Sequence, residues 1–451
     1  MLQAQESDFT ATRNACKLCS PLGACMVFRG IEGAMPLLHG SQGCSTYIRR
    51  YIISHFKEPI DVASSNFTEA STIFGGAENL RMAVDNVVRQ YKPSLIGVAT
   101  TCLSETIGED LPLMLRQLRG AAPAKSPVLL HVSTPSYRGT HMDGFHAAVR
   151  AVADAFAEGG AKNGHINLFP GFVSAADLRH LKEILADWGL SSTVLPDYSE
   201  TLDGESWAEY KPLARGGTPL ASLRALGSAR ASLEFGRTLA PDQGAGSLLE
   251  DRFAVRNIRL GLPIGVHETD ALFGALREVT GRPVPIKHAL ERGRLIDAYV
   301  DGHKYVFGKR AIVYGEEDLV VGLAAFLAEV GIVPVLCVSG GESGRLGECI
   351  HAVAPEIASQ IQVRQGADFA EVAESAAQLA PDLLIGSSKG YAIARKLGAP
   401  LVRVGFPIHD RFGGHRIMHL GYRGAQQLFD RIVNALIEHK QEDSSVGYSY
   451  M

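Results

Sequence analysis

Short apolar runs, each closed by a small polar turn and followed by a helical pattern, recur along the chain from about residue 30. SLIGVATT (94–101) is apolar and turns at Thr101 and Cys102. PVLLHVSTPS (127–136) repeats the plan. HINLFPGF (165–172) precedes the helical stretch AADLRHLKEILADWG (175–189), and STVLPD (192–197) follows. RAIVYGEEDLVVGLAAFLAEVG (310–331) reads as strand, turn and helix, with IVPVLCVSGG (332–341) after it. DLLIGSS (382–388) leads into GYAIARKLG (390–398) and PLVRVGFP (400–407). Such alternation predicts parallel α/β units joined by short turns.

The runs group into three related units, near 25–155, 160–270 and 305–410, without an exact internal repeat. The polar stretch YSETLDGESWAEYKPLARGGTP (198–219) reads as a long surface excursion. The start, MLQAQESDFTATRN (1–14), is expected to fray or wrap a neighbour, and the tail SSVGYSYM (444–451) to lie on a neighbouring subunit. Parallel α/β domains bind ligands at the carboxyl ends of their strands. Cys102, Ser136, Gly386 and Gly405 fall at such ends.

A chain of 451 residues is too long for one compact core. Hydrophobic residues make up 46% and charged residues 20%, ordinary values for a globular protein. A net charge of −4 gives no ground for nucleic-acid binding. No apolar stretch is long enough to span a bilayer, and no secretory signal pattern is read at the start. The expected location is the cytoplasm, where seven cysteines stay reduced rather than forming a disulfide framework.

Three of those cysteines stand on turns: Cys19 in LCSPLGA, Cys44 in LLHGSQGCSTY and Cys102 in GVATTCLSETIGEDL. Thiols on turns suit a soft metal or an iron–sulfur cluster, although buried structural thiols give an equally simple reading. Three thiolates are one short of the usual four, so another residue type or a partner chain would complete the site. Gly23, Gly40 and Gly43 would let backbone approach a bulky inorganic core, and Pro21 would fix the turn after Cys19. Cys16 and Cys19 form a CxxC pair with no second pair to complete a zinc site, and Cys16, Cys25, Cys337 and Cys349 read as structural. Ser136 reads first as a turn residue or helix N-cap; its oxygen is also a candidate non-sulfur ligand.

Asp297 and Asp301 lie four residues apart on a helical pattern and share a face. They could hold a hard cation or form a solvated face paired with Arg292 or Arg294. Of fifteen histidines, His39, His55 and His131 fall near the cysteine turns and read as hydrogen-bonded scaffold. No Walker-type phosphate loop is present, and GFPIHDRFGGHR (405–416) lacks the context of one. Any ATP would be bound by another protein.

These segments resemble the β-type subunit of the nitrogenase component 1 family. The stretches that carry the resemblance are CSPLGA (19–24), the run containing HGSQGC (39–44), NFTEASTIFGGAENL (66–80), ATTCLSETIGEDL (99–111), TPSYRGTHMDGF (134–145), ERGRLIDAYVDGHKYVFGKR (291–310) and GFPIHDRFGGHRIMHLGYRGA (405–425). The resemblance implies an α/β fold of three Rossmann-like domains with parallel sheets flanked by helices. Their limits would be 1–155, 156–300 and 301–425, with a C-terminal helix and tail at 426–451. It implies a homologous α subunit in an α₂β₂ heterotetramer, with a P-cluster (8Fe-7S) shared between the two chains. An active-site metallocluster would lie in the α subunit, and a homodimeric iron–sulfur ATPase would deliver electrons. By motif match Cys19, Cys44 and Cys102 would ligate the P-cluster, with Ser136 joining when the cluster is oxidised. Tyr47 would lie between P-cluster and cofactor. Asp297 and Asp301 would hold a divalent cation at the β–β interface, with Glu58 from the other copy. No catalytic residue is expected on this chain.

The three cysteines favour an electron-transferring reductase over a non-catalytic scaffold for cofactor assembly, which keeps the HGSQGC cysteine alone. Cys19 already lies near the start, so the long N-terminal extension of molybdenum nitrogenase β subunits is lacking. That points to a vanadium or iron-only nitrogenase, or to a nitrogenase-like enzyme such as methylthio-alkane reductase.

Overall fold

The computed structural model describes residues 14–120 and 126–447. The expectations for residues 1–13 and 448–451 lie outside the described residues. Three parallel sheets organise the chain. The first runs in the order Ala63–Ser64, Ala34–His39, Leu95–Thr100, Val128–Val132. The second runs Ser192–Val194, Ile166–Phe169, Ala231–Phe235, Arg256–Leu260. The third runs Gln362–Arg364, Val333–Ser339, Arg310–Gly315, Leu383–Gly386, Leu401–Arg403. Every residue of Ala34–His39 and Leu95–Thr100 is buried. A parallel strand covered on both faces needs this continuous apolar character, because helices pack on either side.

The helix Ser20–Arg29 is buried along its whole length. It lies against the helix His141–Phe156 at contact so close that only glycine fits. A Cβ on Gly23 would overlap the His141 carbonyl, and one on Gly144 would overlap the Ser20 carbonyl. This contact fixes where Cys19, the residue capping the first helix, sits relative to the loop after Val128–Val132. At the other end of the chain, the helix Gly421–Glu442 packs on Ile286–Val306, with Tyr299 and Phe429 rings 5.1 Å apart. Those two helices run through the expected 300/301 and 425/426 limits.

The 198–219 stretch lies largely at the surface from Gly204 to Gly217, as expected, but its first residues are buried. Tyr198, Ser199 and Leu202 are each 0% exposed. The Tyr198 hydroxyl donates to the Val173 carbonyl at 2.6 Å and accepts from the Val173 N–H at 3.0 Å. Polar residues mislead here because their polar atoms are satisfied inside the protein.

Candidate functional site

Three cysteines stand at helix starts near the carboxyl end of the first sheet. Cys19 caps Ser20–Arg29, Cys44 lies in the first turn of Gln42–Phe56, and Cys102 opens Cys102–Thr106. Cys44 and Cys102 follow the carboxyl ends of adjacent strands, Ala34–His39 and Leu95–Thr100, paired in parallel along their length. The strand ends are held together through Gly40. Its φ of +155° and a Cβ that would overlap the Thr101 hydroxyl leave no room for a side chain. The Thr101 N–H donates to the His39 carbonyl at 3.2 Å. Behind the turns, His39 is fully buried, sharing a hydrogen bond with Ser65 at 3.1 Å and contacting Glu109.

All seven cysteines are free. Cys19 and Cys102 are exposed and Cys44 is half-buried, while Cys16, Cys25, Cys337 and Cys349 are buried. Burial pushes the Cys16 and Cys337 thiols up to about 12 and raises Cys25 and Cys349, so these four stay protonated. Cys44 is raised by burial and then by the charges of Cys19 and Cys102, which places the three sulfurs within electrostatic reach of one another. Ser136 joins them: its backbone N–H donates to Cys102 Sγ at 3.2 Å, and its hydroxyl accepts from the Ser20 N–H at 3.2 Å.

The donor set fits a polynuclear cluster better than a single ion. Among the described residues no three His, Cys, Asp or Glu side chains are placed to hold one metal ion. The thiols nonetheless lie near one another at helix starts, and two of them are exposed. Of the glycines expected to make room for such a core, Gly23 and Gly40 face protein instead. A Cβ on Gly43 would meet nothing nearer than Ser41 Oγ at 3.7 Å, so Gly43 alone borders open space.

Glu105, not singled out in the sequence, ties the site together. Its carboxylate accepts from the Thr100 hydroxyl at 2.5 Å and the Ser133 hydroxyl at 2.6 Å. This clamps the loop bearing Ser136 to the turn bearing Cys102. Its only trace in the sequence is its place three residues after Cys102 in TCLSET.

Tyr47 is 65% exposed, one helical turn beyond Cys44. Glu58 follows the C-cap of the same helix, so it stands about 20 Å from Cys44. Asp297 and Asp301 are exposed on Ile286–Val306, away from the thiols. Arg292 does not pair with them. It holds Asp270 through Nε and Nη2, each at 2.8 Å. His55 is buried, and its Nδ1 accepts from the Ile408 N–H at 2.9 Å. His131 lies half-buried in the first sheet.

The family model "Nitrogenase component 1 type Oxidoreductase" matches residues 19–437. The nitrogenase molybdenum-iron protein beta chain of Clostridium pasteurianum is 38% identical, covering 94% of this chain and 93% of that one. The protein of the same name from Methanococcus maripaludis is 34% identical, covering 98% of both. A chain in the structure titled "Nitrogenase Cp1 at pH 6.5" superposes with a TM-score of 0.94 at 36% identity, over 99% of this chain and 98% of that one. A chain in "Nitrogenase Cp1 at pH 5" shares the fold at a TM-score of 0.71 and 16% identity. These relatives lend no support to the branch read from the position of Cys19. Chains named for the molybdenum-iron protein match this one nearly end to end, so its length does not separate it from them, and methylthio-alkane reduction has no support. Among the described residues no helix is long and apolar enough to cross a membrane. With its three parallel sheets, its thiol-bearing face and a match extending over almost its full length, the chain belongs to the nitrogenase component 1 type oxidoreductases as a β-type subunit.

Proposed function

We propose that this chain holds part of a P-cluster through Cys19, Cys44, Cys102 and Ser136. In this reading it passes electrons from an ATP-dependent, homodimeric iron protein toward a metallocluster in a homologous α subunit, for reduction of N₂ or another small substrate. The observation that carries the reading is the convergence of three free thiols and Ser136 on one face, two of the thiols exposed. When bound, an iron–sulfur cluster supplies reversible one-electron chemistry. The chain's own part is to present thiolates at helix starts, to donate the Ser136 N–H to Cys102 sulfur, and to leave open space at Gly43. Exposed Cys19 and Cys102 suit a site completed by the α subunit in an α₂β₂ assembly in the cytoplasm. Tyr47, exposed one helical turn beyond Cys44, would line the path toward the α-subunit cofactor.

The same reading assigns Asp297 and Asp301 of one copy, with Glu58 of the other, to a divalent cation between β-type chains. Both aspartates are exposed and Arg292 is committed to Asp270, which supports it. The cofactor-assembly scaffold gains no support from the three retained thiols. Replacing Cys44 with Ala in the purified assembly tests the function. Loss of interfacial iron and of electron uptake is expected, whereas normal iron content with unchanged reductase activity would overturn it.

A further inference from the structure

Strands from all three sheets end around a cavity of about 510 Å³, lined by residues that follow Val128–Val132, Ala231–Phe235, Arg310–Gly315 and Val333–Ser339. Two of its lining residues carry buried polar atoms without partners. His141 is 5% exposed, and neither ring nitrogen has a hydrogen bond. Glu316 lines the same space with its Oε2 shut from solvent and unpartnered. Burial pushes the Glu316 carboxyl up to about 8 and His141 down to about 4, so both are mainly uncharged at neutral pH. Each then offers one donor and one acceptor. A buried polar atom left unpaired costs about 1–3 kcal/mol, so two such residues on one cavity mark a place for a polar occupant.

The charged lining is divided between the units. Arg138 and Arg150 come from the first unit, with Lys17 on the segment leading into it, whereas Glu317, Asp318 and Glu342 come from the third. The cations are not spent on these acids. Arg150 donates to the Gly244 carbonyl at 2.8 Å, and Arg138 lies over the Tyr137 ring. Asp318 accepts from the Thr238 N–H at 2.9 Å, and Glu317 from the Ser343 N–H at 3.3 Å. A simple anion would meet the carboxylates of the third unit, joined by Asp143 and Asp242. A simple cation would meet the arginines. A molecule carrying both charges satisfies both sides, and a volume of this size suits a small metabolite.

We propose that this cavity binds a small zwitterion of the amino-acid class. Its carboxylate faces Arg138 and Arg150, its ammonium group faces Glu317, Asp318 and Glu342, and its uncharged part meets His141 and Glu316. Ser20, Ser133 and Pro135 also line the cavity, so it adjoins the thiol-bearing site, but none of Cys19, Cys44, Cys102 and Ser136 lines it.

Calorimetric titration of the purified assembly with each of the twenty protein amino acids, and with butylamine and butyrate, tests this. At least one amino acid is expected to bind, and both singly charged probes to bind at least about tenfold more weakly. Arg138→Gln and Glu342→Gln alter exposed residues of the lining. Each should weaken the bound amino acid by about tenfold, the loss of one charge-assisted contact. Failure of every amino acid to bind would overturn the proposal. So would equal binding of butylamine or butyrate, or binding that both variants leave unchanged.

Discussion

The Ser136 backbone N–H donates to Cys102 Sγ at 3.2 Å across 34 residues of chain. The loop after the first sheet's edge strand thereby packs a backbone donor against the sulfur and shapes the site. Glu105 secures that loop through Thr100 and Ser133.

Replacing Glu105 with Ala should therefore loosen the site from behind. Two charge-assisted hydrogen bonds are lost near the surface, so a stability cost of about 1–3 kcal/mol is expected. A lower denaturation midpoint checks it. Glu105→Gln, which keeps an acceptor oxygen, should recover part of the loss.

Gly40 and Gly43 make a matched pair three residues apart. Gly40→Ala forces a side chain into Thr101 at a φ of +155° and should cost roughly 1–3 kcal/mol. Gly43→Ala meets open space and should be neutral or stabilising by up to about 1 kcal/mol. If a cluster fills that space, the second variant still loses iron while its melting temperature holds. Urea titration and iron analysis on the same samples separate the two effects.

Glu316 gives a pH signature. Its carboxyl is raised to about 8 by burial, against about 4.3 in an unfolded chain. Between those values the folded state binds the extra proton. This contribution to stability is full below the unfolded value and is lost as pH rises through the folded one. Glu316→Gln removes the slope. The variant should gain on the natural chain from about pH 5 to about pH 8 by on the order of a few kcal/mol, as read from urea midpoints across that range.

The double variant Asp297→Asn with Asp301→Asn should leave the fold of the chain intact. The two carboxylates are exposed, and removing their repulsion on one helix face is worth about 0.2–0.5 kcal/mol. Under the proposed function it weakens the tetramer while each αβ pair still accepts electrons, which sedimentation and a reduction assay would show. An intact tetramer with lost electron uptake would place these residues on the redox path instead.

The sequence carried the strands with a continuous apolar run, such as Leu95–Thr100 and Arg310–Gly315, and the three cysteine turns. It concealed Ala231–Phe235, because Glu234 interrupts the run. That carboxylate is buried and accepts from the Gly246 N–H at 3.0 Å and Asn257 Nδ2 at 2.9 Å, partners no local pattern announces. The pairing of Arg292 with Asp270 was hidden for a similar reason: a nearby aspartate in sequence is not the one in reach. The roles of Gly23 and Gly40 also needed the neighbours that their missing side chains would strike.

Iron-edge anomalous diffraction from crystals of the purified assembly addresses the thiol-bearing face most directly. Anomalous density for several iron atoms is expected in contact with Cys19, Cys44 and Cys102 and bridging to the partner subunit. Iron-free thiols at all three positions in an assembly that is active as a reductase would contradict the assignment.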